Sequence, residues 1–404
     1  MSIKRSLTLL LALILCLTLV SCGTGSEDEP EATEAPASYT VVKNIRYWPE
    51  DADYETCDYA LIVDTPKFAG TDTSGYSMNL AVGEYLNGLA ERVEKEYMPA
   101  SVAQPPYTEV SCEVDTVDGI TNVVFTESHC YEAQPYTETY VLMLNERGEQ
   151  VNLRDVLLSY HAEDLVASAL EKKIAGDGRY YEADAAKILT FLDLVHGART
   201  LDGGFRVYIP EGRLASLDEG ELAFDLTFAE AAPDFVGEGR ALSWEEYRGI
   251  TELLGYVSNG CVVRGDEIAD GAVTAYAATS FMGELAQGLG YAPEAGRISV
   301  PADEFEKLFR ACFGTDFPGI DTDAHDIRLE DGSYSVRFRR KEYRYNVDML
   351  SVTREGGTVS ITGDLMFGDF GYAFTDYICH VSVTLHENSA SPFGFTLDEF
   401  LLRG

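Results

Sequence analysis

Apolar residues gather first near the amino terminus, where a mostly apolar run from Leu7 to Val20 follows Lys4 and Arg5 and stops at Ser21-Cys22. At about 14 residues the run is short of the roughly 20 that a membrane-spanning helix needs. A positive start, a short apolar core and a small residue before a cysteine predict an export signal instead. The next stretch, Gly23 to Ser38, reads GTGSEDEPEATEAPAS and holds no large apolar residue. It predicts a disordered acidic tether.

Folded structure is predicted from Tyr39 onward. Strand-like runs cover Thr40–Tyr47 and Asp58–Thr65, and Met78, Val82, Tyr85, Leu86, Leu89 and Val93 then recur at helical spacing. Thr108–Val117 and Ile120–Thr126 flank Asp118-Gly119, a strong hairpin signal that sets Cys112 opposite Phe125. A further strand, Thr137–Leu144, ends in a turn at Asn145–Gly148. Helical stretches over Ala162–Ile174 and Tyr181–Leu192 and strands at Phe205–Ile209 and Glu221–Phe228 complete this region.

Small residues dominate Ala229 to Leu242, which predicts a linker over 231–243. Ser243-x-x-Glu246 reads as a capping box opening a helix to about Leu254. Helices near Val273–Gln287 and over Ala302–Phe313 follow. Strands are then predicted at Tyr334–Arg340, Met349–Arg354, Thr358–Gly363, Ile378–Leu385 and Phe393–Leu397. Helices first and an antiparallel sheet afterwards imply an α+β unit, similar in element order to cystatin-like or NTF2-like layouts. The expected architecture is α+β in two domains, 39–230 and 244–404, each an antiparallel sheet packed with helices, behind a cleaved signal (1–21) and a tether (22–38).

Charge narrows the function classes. Without Lys4 and Arg5 the chain keeps 68 acidic against 28 basic side chains, a net −40. Such a field disfavours nucleic acid and anionic headgroups and attracts cationic partners, less so as salt is added. Of eight cysteines, Cys16 leaves with the signal and Cys22 ends it. Cys57, Cys112, Cys130, Cys261, Cys312 and Cys379 remain, and their spacing leaves any disulfide pairing open.

Two resemblances follow from named residues. Leu19-Val20-Ser21-Cys22 is similar to the bacterial lipobox, which implies removal of residues 1–21, lipidation of Cys22 and residence on the extracytoplasmic face of the cell membrane of a Gram-positive bacterium. Residues 39–230 resemble the DUF4163/DUF3298 module, known from the outer part of the anti-sigma-V factor and beside some peptidoglycan deacetylase domains. The likeness rests on Pro66-Lys67-Phe68 at a strand end, the amphipathic helix and the hairpin. It continues in TYVLML running through Gly148 into Gln150-Val151-Asn152-Leu153-Arg154-Asp155-Val156-Leu157, and in Gly-Phe-Arg-Val-Tyr-Ile-Pro at 204–210. Cys130-Tyr131-Glu132-Ala133-Gln134-Pro135 replaces the family's Tyr-Gly-Gly-Ala-His-like segment, and the second half resembles no deacetylase.

Candidate chemistry is sparse. His-Glu-x-x-His, Gly-x-Ser-x-Gly, phosphate-loop and Cys-x-x-Cys signatures are absent. Asp321-Thr322-Asp323-Ala324-His325-Asp326 lacks the glycine and glutamate of a calcium loop and reads as an acidic turn. His129-Cys130 and Cys379-His380 offer zinc donors, but neighbours on a strand point to opposite faces, so no metal or cofactor is expected. Arg337, Arg339 and Lys341 form a basic stripe opposite Tyr334, Val336 and Phe338, suited to a phosphate or carboxylate polymer or to cross-strand acids. Phe370 and Tyr372 sit in a glycine and aromatic loop that suits a sugar or peptide, or simply core. The expected protein is a non-enzymatic, lipid-anchored binding or sensing protein whose ligand is a cationic protein or cell-wall polymer. An enzyme acting on envelope glycans and a structural envelope lipoprotein are the alternatives.

Overall fold

Asp118 and Gly119 take left-handed backbone, φ 49° and 75°, the twist a two-residue hairpin needs. They fold β3 (Tyr107–Val117) onto β4 (Ile120–Cys130), with Cys112 opposite Phe125 as the register predicts. The computed structural model describes residues 38–69, 73–101, 106–131, 134–159, 161–261, 268–269, 272–288, 291, 296–321, 327–337, 343–369 and 376–403. The export signal, Cys22, nearly all of the tether, Arg339, Lys341, Phe370 and Tyr372 lie outside the described residues.

With β1 (Tyr39–Trp48), β2 (Tyr59–Phe68), β5 (Tyr136–Leu144) and β6 (Gln150–Val151), the hairpin forms a six-stranded sheet in sequence order. One pair departs from the antiparallel expectation: β2 and β3 run parallel. Parallel neighbours need a crossover of a dozen or more residues. Helix α1 (Thr73–Arg92) supplies it, burying Met78, Val82, Tyr85 and Leu89 against the sheet. Asn79 clamps the strand before it, donating through Nδ2 to Phe68 O while its Oδ1 accepts from Phe68 N.

Over β4 and β5 both faces of this sheet are covered, whereas most of β1 is exposed. Val123 and Phe125 on β4 join the core under α1, while Val124 joins a second core with Val141 and Met143 of β5. The apolar runs TNVVF and YVLML are what two-sided burial demands. The second core is closed by α2 (Leu153–Leu157), α3 (Ala162–Ile174), α4 (Ala185–Leu189) and the small sheet β7 (Ala198–Leu201), β8 (Gly204–Ile209) and β9 (Leu222–Thr227). Asn152 and Asp155 form a capping box at the start of α2. The helix expected over 181–192 shrinks to the short α4, capped by Asp184.

The segment expected as a linker packs: Ala231, Val236 and Leu242 are buried, and Val236 bridges Leu242. Trp244 stacks on Phe228 at 5.0 Å and touches the cores on both sides of it. Ser243 and Glu246 form the expected capping box, with Ser243 N donating to Glu246 Oε2 (2.7 Å) and Glu246 N to Ser243 Oγ (3.2 Å). It starts α5 (Trp244–Cys261), which is followed by β10 (Ile268–Ala269), β11 (Ala272–Val273) and α6 (Ala275–Gly288). Next come β12 (Arg297–Pro301), α7 (Ala302–Phe313), β13 (Ile327–Glu330) and β14 (Ser333–Arg337). Four long strands end the chain: β15 (Tyr343–Glu355), β16 (Thr358–Asp369), β17 (Asp376–Glu387) and β18 (Phe395–Arg403). They give the sheet order β11-β10-β18-β17-β16-β15, antiparallel throughout, beside a three-stranded sheet β12-β14-β13. Val359, Ile361, Val381, Val383 and Leu385 bury one sheet face in the same core as α5, α6 and α7. The architecture is α+β, as expected.

Cys57, Cys112, Cys130, Cys312 and Cys379 are free thiols. Burial pushes Cys112 up to about 11 and Cys312 up to about 12. Among the described residues no helix is long and apolar enough to cross a membrane.

Candidate functional site

Period-2 alternation carries the face that buries Val123 and Phe125 onward to Glu127 and His129. The β4–β5 register sets Glu138 directly opposite Glu127 and Tyr136 opposite His129. Like charges facing each other across a ladder destabilise it, so this spot needs cations. Helix α1 delivers one. It continues into a π-helical turn, Val93–Tyr97, where Met98 N donates to Val93 O. Residues five apart stand one above the other in such a turn: Arg92 reaches Glu127 and Tyr97 reaches His129.

The arrangement is dense. Arg92 Nη2 donates to both oxygens of Glu127, at 2.8 and 3.0 Å, and Tyr85 OH donates to Glu127 Oε1 at 3.0 Å. The Glu127 side chain is 1% exposed, His129 is fully buried, and Glu138 keeps 42% exposure. His129 Nε2 lies 3.1 Å from Glu138 Oε1 and 3.4 Å from Glu127 Oε2. Its Nδ1 lies 3.0 Å from Thr108 Oγ1, which is 2.7 Å from Tyr59 OH. The ring stacks on Tyr136 and meets Tyr97 edge-on.

Burial alone would lower the pKa of His129, but hydrogen bonds and charge from Glu127 and Glu138 win and raise it. Glu138 is held below its usual range, chiefly by the hydrogen bond to His129. Burial and the Glu127 charge push Tyr85 far up. Glu127, His129 and Glu138 place one ligand atom each within 4.8 Å of one another. One nitrogen and two carboxylate oxygens converging beside a fixed guanidinium suit the holding of a proton or a cation.

A second ionic contact ties the two halves together. His161 Nε2 lies 2.8 Å from Asp348 Oδ2, and Tyr247 OH donates to Leu158 O at 3.0 Å. The ladders set Asp348, Asp364 and His380 in one row. Asp348 is raised above the usual carboxylate range, first by burial and, in smaller part, by Asp364, while the His161 charge and hydrogen bond oppose the shift. A carboxyl raised on folding contributes stability when protonated, below its unfolded pKa of about 4, and loses it as pH climbs through the folded value. Asp348→Asn is therefore expected to raise the melting temperature near about pH 8 and to change it less near about pH 4. Thermal melts at the two pH values test this. A lower melting temperature at the alkaline value would mean that the ion pair outweighs desolvation.

The residues singled out from sequence fare unevenly. Tyr334 and Val336 are buried and Arg337 is exposed, as alternation predicts, but the rest of the basic stripe lies outside the described residues. So do 322–326 of the acidic turn, whereas Asp321 N donates to Thr279 Oγ1 at 2.9 Å. His129 and Cys130 neighbour each other on β4, and His129 turns inward to the cluster. Cys379 and His380 sit on another sheet, where His380 pairs with Asp364. The cluster itself was missed. Its signal was Glu-x-His on one strand with a glutamate opposite, which counting register across the β4–β5 turn would have found.

No family model matches the chain, and no curated protein matches it. Among solved structures, a member of the DUF3298 family from Bacteroides fragilis is distantly similar, at 10% identity and a TM-score of 0.31, over 48% of this chain and 91% of that one.

Proposed function

We propose that this chain is a lipid-anchored extracytoplasmic protein of the cell envelope that acts by binding or sensing, without catalysis, and that its ligand is a cationic protein or a cell-wall polymer. The observation that carries the reading is the order along the chain: Lys4-Arg5, a short apolar run, Leu19-Val20-Ser21-Cys22, an acidic proline-containing stretch, then a folded body from Tyr39. Removing 1–21 and acylating Cys22 places that body on a tether outside the cytosol. The likeness of residues 39–230 to the DUF4163/DUF3298 module supports an envelope role.

Electrostatics favours the cationic partner. Lys43 faces Asp64 and Glu109, Arg46 faces Glu50 and Glu94, and Arg354 faces Glu246 and Glu387. Each of these cations is shared by two carboxylates, so the acid excess points outward and raises the local concentration of positive partners.

Mass spectrometry of the native protein is expected to find a mature chain starting at a lipidated Cys22. An intact Met1 with an unmodified Cys22 overturns the envelope reading. Titration with basic proteins and with muropeptides at low and high salt should give binding that weakens with salt. Turnover of a glycan would replace binding with catalysis, and silence towards every ligand would leave a structural component.

A further inference from the structure

We propose that Glu127, His129 and Glu138 form a binding site for one divalent transition metal ion of the zinc type. The proposal is independent of the envelope reading and rests on the geometry of the cluster.

Zinc takes imidazole nitrogen and carboxylate oxygen at about 2.0–2.1 Å, so two ligands at a tetrahedral angle stand about 3.3 Å apart. His129 Nε2 stands 3.1 Å and 3.4 Å from the two carboxylate oxygens, which are the ligand-to-ligand edges of such a polyhedron. All three donors come from adjacent strands on one face, a rigid platform. Calcium is a poor fit, since it seeks six to eight oxygens.

Orientation of the ligands is built in. Thr108 Oγ1, backed by Tyr59 OH, holds His129 at Nδ1 and leaves Nε2 for the ion, the outer-sphere support that metal-bound histidines rely on. On Glu127, Oε1 accepts from Tyr85 and Arg92 and is filled. Oε2 accepts one bond from Arg92 and keeps a second lone pair, on the atom nearest Nε2. Arg92 therefore holds Glu127 aimed while leaving one coordination position. Glu138, 42% exposed, is the door through which an ion and its remaining waters enter. Tyr97 and Tyr136 wall the histidine on the protein side, lowering the local dielectric and strengthening the ion–ligand contacts.

Proton and metal compete for the same atom. An ion that binds Nε2 must displace any proton there, and it bridges two like charges that otherwise face each other across the ladder.

Cobalt(II) titration of the purified full-length protein is the test, because cobalt substitutes for zinc and its visible spectrum reports the ligands. One equivalent is expected to bind with visible bands and no thiolate-to-metal charge-transfer band, and zinc is expected to displace it. Glu138→Gln sits at the surface, keeps a hydrogen-bond partner for His129 and is expected to weaken binding by about tenfold or more. His129→Gln should abolish binding, and circular dichroism checks that it folds. Glu55→Gln, on an exposed turn far along the chain, should change nothing. A thiolate band would place the ion on a cysteine instead. Affinity unchanged by Glu138→Gln, or only many weak equivalents typical of a diffuse acidic surface, would overturn the site.

Discussion

Replacing Arg92 with alanine is expected to lower the free energy of unfolding by about 3 kcal/mol. Glu127 is 1% exposed, and both of its oxygens accept from this one guanidinium. Removing Arg92 leaves a buried carboxylate facing Glu138 across the ladder, with only the Tyr85 hydroxyl and His129 to answer it. Breaking a buried pair from one side costs about 3–5 kcal/mol. The lower end applies because Arg92 Nε is itself buried without a hydrogen-bond partner, a cost of the native state that the substitution removes. Glu127→Gln should cost less, since Arg92 is one-third exposed and water can solvate it. Urea unfolding followed by circular dichroism measures both variants. A loss below about 1 kcal/mol for Arg92→Ala would mean that Glu127 finds another partner once the guanidinium is gone.

Gly249→Ala is the second large expected effect, and its sign runs against helix propensity. Alanine in place of glycine inside a helix is worth about 1 kcal/mol in its favour. At this position in α5, however, a Cβ would stand 2.4 Å from the backbone oxygen of Phe393 and 3.1 Å from its carbon. Backbone cannot rotate away as a side chain can, so the helix must lift off the loop between β17 and β18. Phe393 and Phe395 pack in the same core as Leu253 and Val257 of that helix, and separating them unpacks it. Overpacking of this kind costs about 1–3 kcal/mol, and a net destabilisation of about 2 kcal/mol is expected after the propensity gain. Gly255→Ala in the same helix is the internal control. Its nearest atom would be Asn346 Oδ1 at 3.7 Å, an ordinary contact, so that substitution should be neutral or stabilising. Equal effects at the two positions would refute the close-approach argument.

Local pattern reached far into this fold. The α1 face from Met78 to Leu89, the turn at Asp118-Gly119, the capping box at Ser243 and Glu246, and α7 from Ala302 to Phe313 each follow from neighbours a few residues apart. Physical chemistry there is short-ranged: a cap satisfies an orphan amide nearby, and a hairpin turn sets its own register. Boundaries blurred where tertiary packing prolonged an element. α5 runs past Leu254 to Cys261, with Asn259 exchanging hydrogen bonds with the backbone of Tyr345 on the edge strand β15. The segment between the halves reads as a linker because small residues dominate it, and in the fold Val236 and Leu242 find apolar partners that only the folded chain supplies.

By itself, then, the amino-acid order determined the export-signal pattern, the acid excess and most of the elements, because each is a property of composition or of residues within a turn or two. Only tertiary structure decided that β2 and β3 run parallel, that Arg92 of α1 meets Glu127 while Glu138 meets His129, and that His161 reaches Asp348 across the two halves. Those contacts join residues far apart in the chain. Their energies depend on burial and on distances that no local pattern encodes.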